Sequence, residues 1–276
     1  MRRIAWCSEK GGTGKTSSAL NSAVGLTKLG KRVLLIDMDP QANASLVLLN
    51  GQPADLPTVG AVLLGDATIF EAIRSTTTPG LDVLPSDVGL ADVNLALANL
   101  VGRETRLRVA LDDLEGYDAL VIDTPPTRSL LTINALTATD EVLIPVEPSL
   151  FSLAGLGQLQ SAIGDVRRYL GNHALRIGGI LLTRTRNDSV SRDVANHLRE
   201  TFGELVFTAS IPTSVKVEEA HGRFASVIDY APRSAGAIAY QALAKEILDR
   251  GNHDQKKRPR NVAKGTDDTD NGRRAG

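Results

Sequence analysis

Short apolar runs alternate along this chain with longer stretches whose apolar residues recur at helical spacing. Residues 4–7 read as a strand, and residues 17–29 as a helix that stops at Gly30. Val33, Leu34, Leu35 and Ile36 form a continuous apolar run, the pattern of a strand covered on both faces. Further strand candidates are residues 81–84, 119–122, 142–146, 177–182 and 205–209. Helical candidates lie at 92–100, 105–114, 130–138, 152–169, 191–202 and 233–248. Strands alternating with helices predict βαβ units with right-handed crossovers. The expected class is α/β: a mostly parallel, twisted sheet with helices on both faces. Residues 50–57, rich in Gly, Pro and polar side chains, predict a surface loop.

The apolar pattern fades after residue 250. Residues 1–250 are expected to form one domain, and residues 251–276 a disordered, basic-leaning tail. That tail holds seven Lys or Arg against four Asp, a net charge of +3, which leaves the body at about -4. It reads either as a solvated tail or as an auxiliary DNA-contacting arm. The length of 276 residues suits one large domain, and 42% apolar with 23% charged residues is ordinary for a globular chain. A formal net charge of -1 neither favours nor opposes a nucleic-acid partner, because a basic patch can hide in a balanced total. The one cysteine, Cys7, rules out a disulfide within the chain and fits a reducing cytosol. Met1-Arg2-Arg3 runs straight into the first strand with no signal-peptide pattern. No apolar run approaches the roughly 18–20 residues that span a bilayer. A cytoplasmic protein is expected.

The strongest chemical signal is Lys10-Gly11-Gly12-Thr13-Gly14-Lys15-Thr16, between the first strand and the first helix. Glycines let the backbone take positive φ and bring successive N–H groups onto phosphate oxygens. The following helix adds its N-terminal N–H donors and dipole. Residues Gly11 to Ser17 are therefore nucleotide-binding candidates, with Lys15 reaching the β- and γ-phosphates and Thr16 ligating Mg²⁺. The usual phosphate-loop pattern is departed from at its first glycine, where Glu9 stands. A nicotinamide-type glycine pattern fails, because Gly12 and Gly14 are followed by no third glycine at the required spacing.

Two further signals sit at strand ends, where α/β sheets bind ligands. Asp37-Met38-Asp39-Pro40-Gln41 follows the run 33–36, although either aspartate alone could instead cap a helix beginning near Asn43. Asp123 ends the run 119–122 and precedes Thr124-Pro125-Pro126, the place from which a carboxylate holds Mg²⁺ or its water.

The segment Lys10 to Thr16 resembles the deviant Walker A motif of the ParA/MinD group of P-loop ATPases. The likeness continues through Asp37 to Gln41, Asp123 to Pro126, Leu131 to Leu136, Val142 to Val146, Ile211 to Ala220 and Tyr230 to Ser234, covering residues 3–249. It is closest to ParA partition proteins. That resemblance implies ATP and Mg²⁺ as cofactors and a homodimer formed on ATP binding, with Lys10 reaching nucleotide phosphate across the interface. By the same resemblance Asp39 positions the attacking water and Asp37 lies near the Mg²⁺ shell. Pro212 and Thr183 would lie against the adenine. Departures from the family are Thr13 in place of the commoner valine and Leu150-Phe151-Ser152 in a segment that is usually tyrosine-rich.

The resemblance further implies non-specific double-stranded DNA and a ParB-like centromere-binding protein as partners, with nucleoid association in a bacterium. Arg184, Arg186, Arg192, Lys216, Arg223 and Arg233 are the candidate DNA contacts, each equally readable as a solvated charge. With the phosphate loop starting at residue 10, no N-terminal DNA-reading domain is expected, so sequence-specific repression is not. A MinD-like membrane regulator would need large apolar residues on a C-terminal amphipathic helix, and the tail offers only Val262. An ATP-dependent amide or carboxylate ligase on the same fold is the other alternative. An iron–sulfur relative would need several thiolates. The four histidines show no metal-ligand spacing.

Overall fold

The computed structural model describes residues 1–55, 57–149 and 152–257. Along the chain come β1 (Arg2–Trp6), α1 (Lys15–Lys28), β2 (Val33–Asp37), α2 (Asn43–Leu48), α3 (Val59–Leu64), α4 (Ile69–Ala72), β3 (Arg74–Ser75) and β4 (Leu81–Leu84). Then follow α5 (Leu90–Ala96), α6 (Arg106–Ala110), β5 (Ala119–Asp123), α7 (Leu130–Ala138), β6 (Glu141–Val146) and α8 (Ser152–Tyr169). The last elements are β7 (Arg176–Thr185), α9 (Ser189–Phe202), β8 (Val206–Pro212), α10 (Val215–Gly222), α11 (Val227–Tyr230) and α12 (Ala235–Lys257). The sheet has eight strands in the order β3-β4-β2-β5-β1-β6-β7-β8. Every pair is parallel except β3 with β4.

The pleat divides each buried strand between two cores. Leu34 and Ile36 join one core with α3, α5, α6, α7 and α8, while Val33 and Leu35 join the other with α1, α2, α10, α11 and α12. All five residues of β2 and of β5 are buried, which explains their unbroken apolar runs. Trp6 is fully buried and donates from Nε1 to the Ser22 hydroxyl at 3.1 Å, fastening α1 to the sheet. Gly25 permits the close approach of α1 to α12, since a Cβ there would meet the Ala244 methyl at 2.5 Å.

The α/β expectation holds, with differences that have physical reasons. Strand β3 is two residues long, too short for any periodic signal. Helices α2, α3, α4, α10 and α11 run only four to eight residues, and apart from α2, which begins at Asn43 where a capped helix is the alternative reading, no sequence signal announces them. The helices expected at 92–100 and 105–114 are shorter, the first ending at Ala96 in a 3₁₀ turn and the second spanning Arg106–Ala110. Strand β7 extends past the expected end at residue 182, because the polar Thr183 is buried and bonded there. The expected tail boundary at 251 falls inside α12. Gly251 does not stop the helix: it is buried, and a Cβ would lie 2.6 Å from the Arg2 guanidinium. Arg2 also donates to the Ile247 carbonyl, and Arg250 stacks on Phe207 at 4.1 Å, so this turn of α12 is tied to β1 and β8. The rest of the tail, residues 258–276, and the departure at Leu150-Phe151 lie outside the described residues.

Candidate nucleotide site

Parallel pairing brings the ends of β1, β2 and β5 to one edge: Trp6 lies opposite Asp123, and Asp123 opposite Asp37. The loop leaving β1 turns through Gly12 (φ +75°) and Gly14 (φ +82°), left-handed conformations that a side chain would strain. Gly14 is the N-cap of α1, with no side-chain cap and no acidic residue in the first turn. The first N–H groups of α1 therefore remain free for an anion. Thr13 is buried and its hydroxyl turns back to the Lys10 carbonyl at 3.4 Å, so its side chain points away from the phosphate cradle, as a tolerated valine replacement should.

A cleft of about 500 Å³ opens over this loop. Gly11, Gly12, Gly14, Lys15, Thr16, Ser17 and Asp39 line one part, and Thr183, Pro212, Thr213 and Ser214 another. Phosphate-loop and adenine-side candidates thus share one cavity. Lys15 is 6% exposed, and burial lowers its pKa against the pull of Asp123 and Asp39. The Thr183 hydroxyl donates to the Thr13 carbonyl at 2.9 Å, bracing the loop from β7.

The three carboxylates differ in their partners. Asp37 is fully buried; its Oδ2 accepts from the Ser45 N–H (2.9 Å) and hydroxyl (2.7 Å), and its Oδ1 from the Asp39 N–H (3.1 Å). Its bonds make it a clamp on the loop between β2 and α2. Burial pushes its pKa up to about 6 despite those donors. Asp39 lines the cleft, with Oδ1 fixed by the Gln41 N–H at 2.9 Å. Asp123 is fully buried, and neither carboxylate oxygen has a hydrogen-bond partner. Burial, and then the charge of Asp37, push its pKa well up. The Thr16 hydroxyl lies near enough to favour the charged form but outside bonding geometry. Two orphaned buried oxygens beside Thr16 and Lys15 are what a hard cation would satisfy, so these residues fit Mg²⁺.

Lys10 is placed apart from its own cleft. It lies on a second pocket of about 310 Å³ with Glu9, Val146 and Glu147, where its ammonium is 3.7 Å from the Glu147 carboxylate and half exposed.

The candidate DNA contacts separate. Arg186, Arg192, Lys216, Arg223 and Arg233 are exposed, with Lys216 paired to Glu219 at 2.6 Å. Arg184 instead lines the nucleotide cleft and donates to the Gly12 carbonyl at 3.1 Å. Two residues absent from the sequence reading complete the site. The Ser86 N–H donates to the Ser45 hydroxyl at 2.8 Å, and the Ser86 hydroxyl to the Asp39 carbonyl at 2.8 Å. Among the described residues no helix is long and apolar enough to cross a membrane.

A glycine loop at a strand–helix junction, a buried lysine and paired carboxylates at neighbouring strand ends define a P-loop ATPase, built for ATP and Mg²⁺. A family model described as an AAA domain matches residues 1–177. The chain is 41% identical to the chromosome partitioning protein ParA of Caulobacter vibrioides, over 91% of this chain and 95% of that one. It is 40% identical to the sporulation initiation inhibitor protein Soj of Bacillus subtilis, over 90% of this chain and 98% of that one. Among solved structures, cobyrinic acid a,c-diamide synthase of Mycobacterium smegmatis, with bound ATP analog and magnesium, superposes with a TM-score of 0.78 at 33% identity. That match covers 91% of this chain and 96% of the other. The chain belongs to the ParA/Soj family of partition ATPases.

Proposed function

We propose that this chain is an ATP-driven switch that partitions DNA, closing as a homodimer on ATP and binding double-stranded DNA without sequence preference. The observation that carries the reading is the placement of Lys10. It lines a neighbouring pocket and not the cleft of its own chain, a placement that suits a lysine meeting the phosphate of a second chain. The ParA and Soj relatives, alike over nearly their whole length, support the partition role.

In this mechanism the loop N–H groups and the Lys15 ammonium hold the β- and γ-phosphates. Thr16 and Asp123 would hold Mg²⁺, which when bound supplies positive charge against the phosphate oxygens. Asp37, through Ser45, keeps the Asp39 loop in place. The Asp39 carboxylate, braced by Gln41, accepts a hydrogen bond from water and aims it at the γ-phosphorus. The new P–O bond forms as the bond to the β-phosphate bridging oxygen breaks, giving ADP and phosphate, which takes the proton from water. Lys10 of a second copy adds positive charge as the transition state forms. Loss of the γ-phosphate contacts releases the Asp39 loop, and the dimer and DNA separate. A ParB-like partner accelerates this step, and DNA binding places the protein on the nucleoid of a bacterium. Arg186, Arg192, Lys216, Arg223 and Arg233 are the proposed DNA contacts.

An electrophoretic shift with no nucleotide, ADP, ATP, and ATP with Asp39→Ala, at two salt concentrations, tests the reading. Salt-sensitive, sequence-independent binding with ATP alone, prolonged by Asp39→Ala, supports it. Absence of binding in every state overturns it. The similarity to an amide-forming synthase favours one second reading, ATP-dependent amide ligation. Hydrolysis stimulated by DNA and partner, with no acid substrate present, separates the two.

A further inference from the structure

Arg184 is built into the nucleotide cleft in a way that its expected place on a DNA surface does not explain. It is the next-to-last residue of β7 and holds φ at +52°, a left-handed conformation that is costly for a long side chain. Such strain persists where neighbouring bonds enforce it, and it gathers at ligand sites. Here the bonds flank it on both sides. The Thr183 hydroxyl donates to the Thr13 carbonyl (2.9 Å), and the Thr213 N–H donates to the Thr185 carbonyl (3.1 Å).

The turn aims the guanidinium back over the phosphate loop. Nη1 donates to the Gly12 carbonyl at 3.1 Å, and Nη2 lies 3.7 Å from the Glu218 carboxylate on α10. A guanidinium carries five N–H donors in a planar fork suited to carboxylate and phosphate oxygens. The Gly12 bond engages one of them. The contact with Glu218 is long, and the two side chains are 46% and 71% exposed, so water weakens the pair and leaves it exchangeable. Beneath the guanidinium runs the loop whose free N–H groups await an anion.

We propose that Arg184 is a further nucleotide-binding residue of this chain: its guanidinium grips a phosphate of the nucleotide, exchanging Glu218 for it. The pair with Glu218 holds the arm at the mouth of the cleft, and the Gly12 bond sets its direction. A polyphosphate presents more negative charge than one exposed carboxylate, and charge-assisted bonds to phosphate are the stronger ones. The inference rests on the nucleotide cleft alone, so it stands or falls independently of DNA binding.

Equilibrium binding of Mg·ADP and of a non-hydrolysable Mg·ATP analogue, with adenosine measured by competition, tests it on Arg184→Ala, Arg184→Gln and Glu218→Gln. Arg184→Gln keeps most of the side-chain length, should the alanine variant fold poorly. Both arginine variants should bind ADP and the ATP analogue at least tenfold more weakly, with adenosine affinity changed less than twofold. Glu218→Gln should bind ADP two- to threefold more tightly, its competing carboxylate gone. ADP affinity within twofold of wild type in the arginine variants overturns the proposal. An equal loss for adenosine also overturns it, since the guanidinium would then serve the base or the cleft as a whole. Weaker ADP binding by Glu218→Gln removes the exchange.

Discussion

The Ser86 hydroxyl donates a 2.8 Å hydrogen bond to the main-chain carbonyl of Asp39, and both residues are buried. Ser86 follows β4, whereas Asp39 follows β2, and the two meet because β4 pairs with β2 in the sheet. The same serine donates its N–H to Ser45, which holds Asp37, which in turn accepts from the Asp39 N–H. The Asp39 peptide is thus fixed at both ends. Removing the Ser86 hydroxyl leaves this chain of bonds open on the carbonyl side. Ser86→Ala should lower stimulated ATP turnover by about fivefold, as a lost bond of about 1 kcal/mol loosens the aim of the carboxylate. Nucleotide affinity should stay within twofold, because Ser86 does not line the cleft. Steady-state kinetics beside ADP binding would check this, with Ser86→Thr keeping the hydroxyl as the rescue. Equal losses in turnover and affinity would make Ser86 a plain folding residue.

Asp39 and Lys15 should fail in different ways. Asp39 offers a carboxylate to the cleft and takes no part in cradling phosphate, so Asp39→Ala should bind ATP normally and hydrolyse it at least a hundredfold more slowly. Lys15 is the buried cation of the loop. Lys15→Ala should weaken ATP by two orders of magnitude or more, since charge-assisted contacts to phosphate vanish from a desolvated site. Filter binding and phosphate release, run on both variants, read the two effects separately. Hydrolysis by Asp39→Ala at the wild-type rate would end its assignment, and unchanged ATP affinity in Lys15→Ala would end that of the loop.

The acidic pair predicts an unusual stability profile. Burial pushes the Asp37 carboxyl up to about 6 from its ordinary 3.8, and pushes Asp123 up as well. Each group therefore binds its proton more tightly in the folded chain than in the unfolded one. Its contribution is complete below the ordinary carboxylate value and is lost as pH rises through the folded value. The nucleotide-free protein should lose stability from Asp37 between about pH 4 and pH 6, on the order of 2–3 kcal/mol, with Asp123 adding a loss in the same direction. Denaturant unfolding at stepped pH would show it, and Asp123→Asn should flatten the slope. Mg·ADP should flatten it too, by giving the Asp123 carboxylate a cation. Stability that rises through this window would mean that both carboxylates are ionised in the folded chain.

The sequence makes the strands, the loop and the strand-end carboxylates legible, because each is a local pattern. Apolar runs such as Val33 to Ile36 follow from burial on both faces, and Asp37 and Asp123 announce themselves by closing such runs. The remainder depends on neighbours distant in the chain. Ser86 lies 47 residues from Asp39, and its partnership exists only through the sheet order. Arg184 looks like any surface arginine until the left-handed turn of β7 carries it over Gly12. Gly251 opens the stretch expected as a tail, yet serves as a contact point for Arg2 inside α12.

Cys7 gives a direct view of how firmly this edge of the sheet is held. It lies one residue beyond β1, is 1% exposed, and its N–H donates to the Leu143 carbonyl at 3.0 Å. Burial pushes its thiol up to about 12, so at pH 8 almost none is the thiolate that reacts with alkylating reagents. Iodoacetamide should label the native protein at least a hundredfold more slowly than the unfolded chain, and only when β1 and the phosphate loop open. Since Cys7 is the sole cysteine, mass spectrometry reads the reaction as a single adduct. Mg·ADP at about a hundred times its Kd should slow the labelling by roughly a further hundredfold, because ligand bound to the closed form opposes opening by mass action. Labelling at the rate of a free thiol would contradict the burial of Cys7. Slow labelling that ignores ADP would locate the opening in a segment that leaves the nucleotide cleft intact, and would separate the motion of β1 from that of the phosphate loop.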